Sequence, residues 1–246
     1  MPPSSERVDI VLPVHNEAGS IAAVLREFHA VVAQTTGIPV RFVVSEDGSR
    51  DNTVAILQAL AAELPILLLS STDRRGYSGG AIAGLRAATA DVVCFIDSDG
   101  QCDPQDFAQL HAALNEADLV IGWRRPRRDP FPRRFFSGAF GLVYRRLFPV
   151  KVHDPSCPFI VVRRPALERI LAGRVGTLKQ GFWWEFVARA TALGVPLVEV
   201  PIAHRSRLAG QTQIYRPTKI LSIGLEHIAA LFTLRRELQR TQPPAT

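Results

Sequence analysis

The chain has 246 residues, 47% of them hydrophobic and 21% charged, which excludes a disordered protein and suits a single globular domain. Its three cysteines fit neither a zinc motif nor a disulfide framework, which favours a reducing compartment. No segment has the roughly 18 uninterrupted apolar residues of a transmembrane helix, and the first residues do not resemble a signal peptide. We therefore expect a chain that does not itself cross a membrane.

The first half of the chain alternates short β-rich runs with segments of helical spacing. Apolar runs predict strands at Val8–Val14, Val40–Glu46, Ile66–Leu69, Asp91–Asp97 and Asp118–Ile121, and helices at Ser20–Gln34, Asn52–Leu64 and Gly76–Ala88. Pro104 suits the first position of a further helix. This alternation predicts an α/β domain with a mostly parallel sheet and helices on both faces.

The second half of the chain is less regular. It contains an Arg-rich segment, a Phe-rich helix near 135–148, a helix near 182–193, a strand at Val195–Ile202 and a long helix near 217–238. We expect a polar N-terminal tail over 1–7, the α/β domain over 8–215, and a C-terminal amphipathic helix with a tail over 216–246.

Polar clusters follow three of the predicted strands. His15-Asn16-Glu17 comes after the first strand, Glu46-Asp47-Gly48-Ser49 after the second, and Asp97-Ser98-Asp99-Gly100 after the fourth. In doubly wound sheets ligands bind at the carboxyl ends of the strands. The three clusters are therefore expected to line one crevice.

Asp97 and Asp99 form the cluster with the clearest chemistry. Two carboxylates two residues apart at a strand end can turn to one hard cation, Mg²⁺ or Mn²⁺, with phosphate oxygens completing the shell. Gln101 adds a neutral oxygen nearby. The same residues are also common in ordinary turns, but a buried strand that ends in two acids needs compensating charge.

The other strand ends allow two interpretations each. Asp51 or Ser49 can cap the helix that follows, while Asp47 can contact a base or a ribose. The segment from Pro13 through Glu17 has the same ambiguity, because it also begins a helix. Gly76–Gly80 opens a helix whose N-terminus could approach a pyrophosphate, although glycines also simply permit turns.

The net charge of +6 at pH 7 is concentrated in one segment. The arginines there are Arg124, Arg125, Arg127, Arg128, Arg133, Arg134, Arg145 and Arg146, and Asp129 alone opposes them. Such a segment favours a partner that carries phosphate, whether nucleic acid, a lipid surface or a substrate. For Arg127 and Arg128, a solvated surface loop is an equally simple interpretation.

Six motifs occur in an order that is specific to one family. They are VLPVHNE, SEDGSRDNT, GYSGGAIAGL, FIDSDGQCDP, DLVIGWR and EVPIAHRSRLAGQT, and they span about residues 8 to 212. This set resembles the family 2 glycosyltransferases, and within them the dolichyl- and polyprenyl-phosphate sugar synthases of the dolichol-phosphate mannosyltransferase type. The resemblance implies a GT-A fold and metal-dependent, inverting transfer of a sugar to a polyprenyl phosphate. It also implies a nucleoside-diphosphate sugar donor of the GDP-mannose or UDP-glucose type.

The resemblance also implies roles for individual residues. The nucleotide-sugar-binding positions are matched by Pro13, Asn16, Glu17, Asp47 and Asp97, and the metal site by Asp97, Asp99 and Gln101. A first acceptor-phosphate contact is matched by Arg124, and a second by one of Arg133 or Arg134 with Ser137. Arg207 matches an arginine on a loop that closes over the diphosphate. Asp97, Asp99, Arg124 and Arg207 would thus be the catalytic set. The chain departs from the family pattern at Gly210-Gln211-Thr212-Gln213, which has no lysine, and at Cys157-Pro158-Phe159, where the family often has Cys-Gly-Phe.

Two other functions compete with this one. A hydroxyl acceptor would need a base, for which Glu185 in GFWWEF is the candidate, although a helix carboxylate beside core aromatics is as simple an interpretation. Nucleic-acid binding would use the arginines, but they lack a known reading motif, and the strand-end acids would repel phosphate.

A lipid-linked acceptor also predicts a position on the membrane surface, at its cytoplasmic face, with a separate membrane subunit as a further possible partner. Apolar residues alternate with arginine over Phe131–Phe148. The C-terminal helix offers a second stripe, namely Leu221, Leu225, Ile228, Leu231 and Phe232, followed by Arg235 and Arg236. Both patterns suit the headgroup boundary. The alternative is that both stripes pack on the domain.

Overall fold

The structure is a computed structural model that describes residues 7–125, 131–173, 175–178, 181–208 and 220–241, with the backbone alone at 131–137, 139, 220–227 and 241. Seven strands lie in this part of the chain, namely β1 (Val8–Val14), β2 (Val40–Asp47), β3 (Ile66–Ser71), β4 (Val92–Phe95), β5 (Leu119–Arg124), β6 (Ile160–Arg163) and β7 (Leu197–Ile202). They form one sheet in the order β3-β2-β1-β4-β6-β5-β7. Strand β6 is antiparallel to both of its neighbours, and the other neighbouring strands pair in parallel.

The helices alternate with these strands. They are α1 (Ile21–Thr36), α2 (Thr53–Leu60), α3 (Gly76–Ala87), α4 (Phe107–Ala112), α5 (Phe131–Leu147), α6 (Arg164–Leu171), α7 (Phe182–Ala192) and α8 (Ile220–Thr241). A 3-10 turn at Pro104–Asp106 leads into α4, so Pro104 does begin a helical segment, as predicted. The mostly parallel α/β sheet predicted from the sequence is confirmed.

The core lies on both faces of the central strands. Every residue of β1 is buried, which explains why apolar residues occupy both faces of the strand rather than alternating; the one charged residue, Asp9, is paired with Arg41 of β2. Helix α1 packs one apolar stripe against the sheet, namely Ile21, Val24, Leu25, Phe28 and Val32. Helix α3 approaches the sheet more closely, because a Cβ atom on Gly84 would lie 2.6 Å from the side chain of Val11. Glycine at this position therefore lets α3 lie close to β1, and Gly80, one turn earlier, lies beside Pro13 near the end of that strand.

The differences from prediction concern short elements. Strand β6 and helix α6 were not predicted, because a four-residue strand inside the second half has no periodicity of its own. Helix α2 ends at Leu60 instead of Leu64, and β4 covers only Val92–Phe95 of the predicted Asp91–Asp97.

Helices α5 and α8 pack against each other, and most of the apolar side chains described on them face the domain. Tyr144 on α5 and Phe148 directly after it are buried, as are Leu231, Leu234 and Leu238 on α8. The prediction that Leu231 belongs to a membrane-facing stripe is therefore wrong, because its side chain is fully buried in the core. Leu221 and Leu225 lie outside the described side chains.

Two large apolar side chains on these helices do face solvent. Leu142 on α5 is 67% exposed and Phe232 on α8 is 48% exposed. Among the described residues, no helix combines the length and hydropathy required to cross a bilayer.

Candidate functional site

The site lies at the carboxyl ends of β1, β2 and β4, where the three polar clusters were predicted to meet. Pro13 at the end of β1 is in register with Ser45 of β2. On the other side of β1, the amide of Ile96 donates to the carbonyl of Val11, which continues the pairing beyond the end of β4. The Ser20 hydroxyl then donates to the Ser98 carbonyl at 3.3 Å and joins the start of α1 to the loop after β4.

Asp97 and Asp99 occupy the centre of this edge. An Asp97 carboxylate oxygen accepts a 2.7 Å hydrogen bond from the hydroxyl of Tyr77. Asp99 accepts from the backbone amide of Gln101 at 3.0 Å, in a turn that Gly100 makes possible with a φ of 78°. Burial, and then the neighbouring charge of Asp99, raises the pKa of Asp97 to about 7. Two carboxylates so close together favour a cation between them.

Arg207 supplies a positive charge at this pair. Its guanidinium lies 2.9 Å from a carboxylate oxygen of Asp99 and 3.5 Å from one of Glu17. Glu17 also accepts a 2.6 Å hydrogen bond from the Ser20 hydroxyl. Burial, with the charge of Asp99, raises the pKa of Glu17 despite the Ser20 hydrogen bond and the charge of Arg207. The arginine predicted from the loop after β7 therefore meets residues from the ends of β1 and β4.

The segment after β7 lies directly over the loop that holds the two aspartates. The Leu208 amide donates to the Asp99 carbonyl at 3.1 Å, and the Leu208 side chain packs on Gly100, where a Cβ atom would be only 2.5 Å away. Gln101 joins the same contact, since its carbonyl accepts from the Arg205 amide and its side-chain amide donates to the Arg205 carbonyl at 3.3 Å.

The donor chemistry of this edge fits a hard divalent cation. Asp97 and Asp99 offer carboxylate oxygens, which Mg²⁺ and Mn²⁺ prefer, and the Arg207 guanidinium already stabilises negative charge at the same place. Within the described part of the chain, no group of three or more His, Cys, Asp or Glu side chains is arranged as a metal site. An ion held by the two aspartates would complete its shell with substrate and water oxygens.

The Asp47 carboxylate, expected from the sequence to contact a base or a ribose, bonds to the start of helix α3. Its two carboxylate oxygens accept from the backbone amides of Arg75 and Gly76 at 2.7 and 2.8 Å, so Asp47 neutralises the N-terminus of α3. The glycine-rich start of α3 thus meets an aspartate of the chain itself. Asp51, one of the two predicted capping residues, accepts from the amide of Thr53, the first residue of α2, but the N-cap position itself is Asn52, whose side chain makes no capping hydrogen bond.

Asn16 connects the turns after β1 and β2. It has a φ of 54°, in the left-handed region that asparagine tolerates better than most residues. Its side-chain carbonyl accepts from the Arg50 amide at 2.7 Å, and its own amide donates to the Ser49 hydroxyl at 3.0 Å. Pro13 packs beside Gly80, where a Cβ atom would be 3.3 Å away. These residues shape the wall of the crevice beside β2.

Arg124 at the end of β5 has a partner that the sequence did not identify. Its guanidinium makes two hydrogen bonds of 2.7 and 2.9 Å to the carboxylate of Asp154 and a third of 2.9 Å to the Ser156 hydroxyl. Both charged side chains are almost completely buried. An acid in a loop some thirty residues away has no local sequence signal, so Asp154 could not be paired with Arg124 beforehand.

Three of the predicted acceptor residues lie on α5. The backbone of this helix includes Arg133, Arg134 and Ser137, but their side chains lie outside the described residues. Arg127, Arg128 and the Gly210–Gln213 departure also lie outside them.

Glu185 lies in a buried ion pair. One carboxylate oxygen accepts from the Gly176 amide at 3.0 Å and from the Arg189 guanidinium at 2.8 Å, and the other accepts from the Leu178 amide at 2.8 Å. Its side chain has no exposed surface. These contacts support the structural interpretation of Glu185 over the role of a base.

Tyr77 and Trp183 are site residues that the sequence analysis did not single out. The Trp183 indole donates to the Tyr77 hydroxyl at 2.8 Å, and that hydroxyl donates to Asp97. Tyr77 lies within the glycine-rich segment and Trp183 within an aromatic pair, and neither context reveals a contact across about a hundred residues.

The sequence matches a protein family and several known proteins. Residues 9–171 match the family described as glycosyl transferase family 2. The chain is 30% identical over 234 residues to the undecaprenyl-phosphate 4-deoxy-4-formamido-L-arabinose transferase of Pseudomonas paraeruginosa, with 92% of this chain and 65% of that protein covered. It is 31% identical over 215 residues to an uncharacterized glycosyltransferase of Mycobacterium tuberculosis, with 86% and 91% covered. The chain thus spans less than two thirds of the length of the first relative and most of the second.

Solved structures share the fold. The glucosyl-3-phosphoglycerate synthase of Mycobacterium tuberculosis, crystallised with Mn²⁺, UDP and glucosyl-3-phosphoglycerate, superposes with a TM-score of 0.66 at 19% identity, covering 94% of this chain and 81% of that one. Its complex with Mg²⁺ and UDP gives a TM-score of 0.67 at 19% identity, covering 94% and 80%. At these identities the likeness shows the fold, which is the GT-A fold implied by the sequence motifs.

Proposed function

Because the chain belongs to glycosyl transferase family 2 and is a glycosyltransferase, we propose that it transfers a sugar from a nucleoside-diphosphate sugar to a polyprenyl phosphate. The observation that carries this proposal is the meeting of Asp97, Asp99 and Arg207 at the carboxyl end of the sheet. Relatives named as undecaprenyl-phosphate transferases support the lipid phosphate as acceptor.

Asp97, Asp99 and Arg207 are proposed to stabilise the diphosphate leaving group. Asp97 and Asp99 would hold Mg²⁺ or Mn²⁺, which would neutralise the leaving diphosphate as a Lewis acid. Arg207 adds a second positive charge from the segment that covers the loop. Pro13, Asn16 and Glu17 form the wall that receives the nucleotide, and Asp47 keeps lone pairs with which it can accept from a base or ribose.

A phosphate acceptor needs positively charged residues that position it, and it does not need a general base. Its oxygen is already anionic at pH 7, so it needs to be placed and does not need a base. Arg124, with Arg133, Arg134 and Ser137 on α5, is proposed to place it. The acceptor oxygen bonds to the anomeric carbon while the bond to the diphosphate breaks, and a single displacement of this kind inverts the configuration.

The proposal is tested by a donor screen with the purified chain. GDP-mannose and UDP-glucose are each incubated with Mn²⁺ and a polyprenyl phosphate, and labelled sugar is measured in the organic phase. We expect transfer from one donor, loss of transfer with EDTA, and recovery with Mg²⁺ or Mn²⁺. Transfer only to water-soluble hydroxyl acceptors, or transfer that EDTA leaves unchanged, would contradict the proposal.

Arg124 is expected to matter for the acceptor. Arg124→Ala should raise the acceptor KM at least about tenfold with a much smaller effect on the donor KM, because a charge-assisted hydrogen bond to phosphate contributes roughly 1.5–3 kcal/mol. The measurement is a steady-state titration of each substrate with the other saturating.

The buried partner of Arg124 provides the matched control. Asp154→Asn keeps the guanidinium but removes the opposing charge, so it should lower the melting temperature while leaving the acceptor KM within a factor of a few. Equal increases in both KM values for Arg124→Ala, or the same acceptor defect in Asp154→Asn, would assign Arg124 a structural role alone.

We also propose that the chain binds the surface of anionic membranes through α5 and α8. Leu142 and Phe232 are exposed, and so are Arg145, Arg146 and the pair Arg235-Arg236 on the same helices. Apolar side chains beside arginine suit the headgroup boundary, where each basic residue contributes about 1 kcal/mol.

Flotation with liposomes measures this binding. The chain should float with vesicles containing anionic lipid at low salt and remain below at high salt, because salt screens the arginines. Leu142→Gln combined with Phe232→Gln should reduce flotation. Leu193→Gln should not, because Leu193 is a less exposed apolar residue that lies after α7 and outside the proposed surface. Absence of binding at low salt would rule out this surface.

A further inference from the structure

Tyr77 links helix α7 to the carboxylate of Asp97. The indole nitrogen of Trp183 lies 2.8 Å from the Tyr77 hydroxyl oxygen, which in turn lies 2.7 Å from an Asp97 carboxylate oxygen. Three elements contribute, since Trp183 lies on α7, Tyr77 in the first turn of α3, and Asp97 after β4.

The direction of these hydrogen bonds is determined by chemistry. An indole N–H can only donate, so the Tyr77 oxygen must accept from Trp183. The Tyr77 hydrogen is then directed to Asp97, whose oxygen has to be the acceptor. This arrangement holds one oxygen of the Asp97 carboxylate in a fixed direction and suits the ionised form of that oxygen.

The anchor of this arrangement is rigid. Trp183 is buried, and its ring makes edge contacts with Phe95, Phe182 and Phe186, at centroid distances of 4.5, 4.9 and 5.4 Å. Helix α3 is joined to the same region a second time, because the Ser78 hydroxyl donates to the Leu178 carbonyl at 3.2 Å. The Tyr77 hydroxyl is therefore held from the side of α7.

We propose that Tyr77, oriented by Trp183, is a positioning residue that presents the Asp97 carboxylate to the divalent cation. This role rests on the proposed metal site, and it assigns Tyr77 and Trp183 a function that neither family motif nor sequence spacing supplies. Groups that orient a metal ligand from behind typically change metal affinity 10- to 100-fold when they are removed.

The test is the affinity for Mn²⁺ itself, measured by the electron paramagnetic resonance signal of the unbound ion with the full chain, alone and again with UDP. Tyr77→Phe should weaken Mn²⁺ binding about tenfold or more, because it removes only the hydroxyl. Transfer by this variant should recover at saturating Mn²⁺, which a general loss of structure would not allow.

Tyr144→Phe is the matched control. Tyr144 is fully buried, whereas Tyr77 is partly buried; the Tyr144 hydroxyl donates a 2.8 Å hydrogen bond to the Trp184 carbonyl, but that bond does not lead to Asp97. This variant should lose a similar amount of stability and bind Mn²⁺ as the wild-type chain does. If Tyr77→Phe binds Mn²⁺ like the wild type, or if both variants weaken it equally, the positioning role is wrong.

Trp183→Phe provides an independent variant that keeps an aromatic ring and removes the N–H donor. It should weaken Mn²⁺ binding severalfold, and unchanged affinity would show that Trp183 does not orient Tyr77. Absence of Mn²⁺ binding in the wild-type chain would overturn the metal site together with this role. Normal Mn²⁺ binding without transfer to polyprenyl phosphate would instead overturn only the proposed acceptor.

Discussion

Asp99→Asn is expected to reduce sugar transfer about 1000-fold while leaving the circular dichroism spectrum unchanged. Asparagine keeps the shape of the side chain and an oxygen for the Gln101 amide, but it removes the charge that a cation and Arg207 both use. Loss of metal-assisted charge stabilisation costs several kcal/mol, and each 1.36 kcal/mol is about a factor of ten in rate. The measurement is the initial rate at limiting Mn²⁺, together with the affinity for Mn²⁺.

Asp118→Asn is the matched control for this substitution. Asp118 lies directly before β5, at the N-terminal end of that strand and so away from the site at the carboxyl ends. It is partly exposed and lies 3.8 Å from Arg163. Its replacement should leave the rate within about a factor of two, as expected for a surface ion pair. Full activity of Asp99→Asn at limiting Mn²⁺ would contradict the assignment of Asp99 to the metal.

Glu185→Gln is expected to destabilise the chain without removing its chemistry. The substitution leaves the buried Arg189 guanidinium with Glu237, 3.2 Å away, as its remaining carboxylate, so the cost should lie at the lower end of the roughly 3–5 kcal/mol typical of breaking a buried ion pair from one side. In a chain of this size, a loss of about 3 kcal/mol corresponds to a melting temperature lower by roughly 6–12 °C. Turnover on polyprenyl phosphate, measured below the transition, should remain within a factor of a few.

The pair Arg164–Glu168 allows a controlled comparison. It has the same two residue types at i, i+4 spacing, in the reverse order, and a similar N–O distance of 2.7 Å, but the Glu168 side chain is largely exposed. Glu168→Gln should therefore change stability by less than about 0.5 kcal/mol. If Glu185→Gln instead keeps its melting temperature and loses turnover, Glu185 is the base of a hydroxyl-accepting enzyme.

The parts of the fold that the sequence predicts are those with local periodicity. Strands β1 and β2 and helix α3 begin at the predicted residues, because buried parallel strands are mostly apolar in sequence and glycine-rich α3 follows a clear loop. The convergence of the three polar clusters also follows from local information, since strand ends of a parallel sheet lie on one edge.

The parts that could not be predicted depend on contacts between distant residues. The sequence around Arg124 does not tell whether its guanidinium binds a phosphate or Asp154, because only the fold brings Asp154 next to it. Asp47 lies at the predicted edge of the sheet, but its carboxylate accepts hydrogen bonds from the Arg75 and Gly76 amides. The packing of α3 against the sheet brings these two amides next to Asp47. For Leu231, a helical stripe of apolar residues does not say whether lipid or protein covers it.

The insertion of β6 between β4 and β5 has a consequence for synthesis of the chain. Strands β1 to β4 can assemble as soon as they leave the ribosome, but the outer edge of β4 must wait for β6, about 70 residues later. At about 5–20 residues per second, this edge stays without its partner strand for roughly 4–14 s. During that time its unpaired amides and carbonyls, on the apolar sequence VVCF, can template pairing with another nascent chain. Slower elongation lengthens this interval, so the yield of native protein should depend on translation rate and on chaperones that shield the edge.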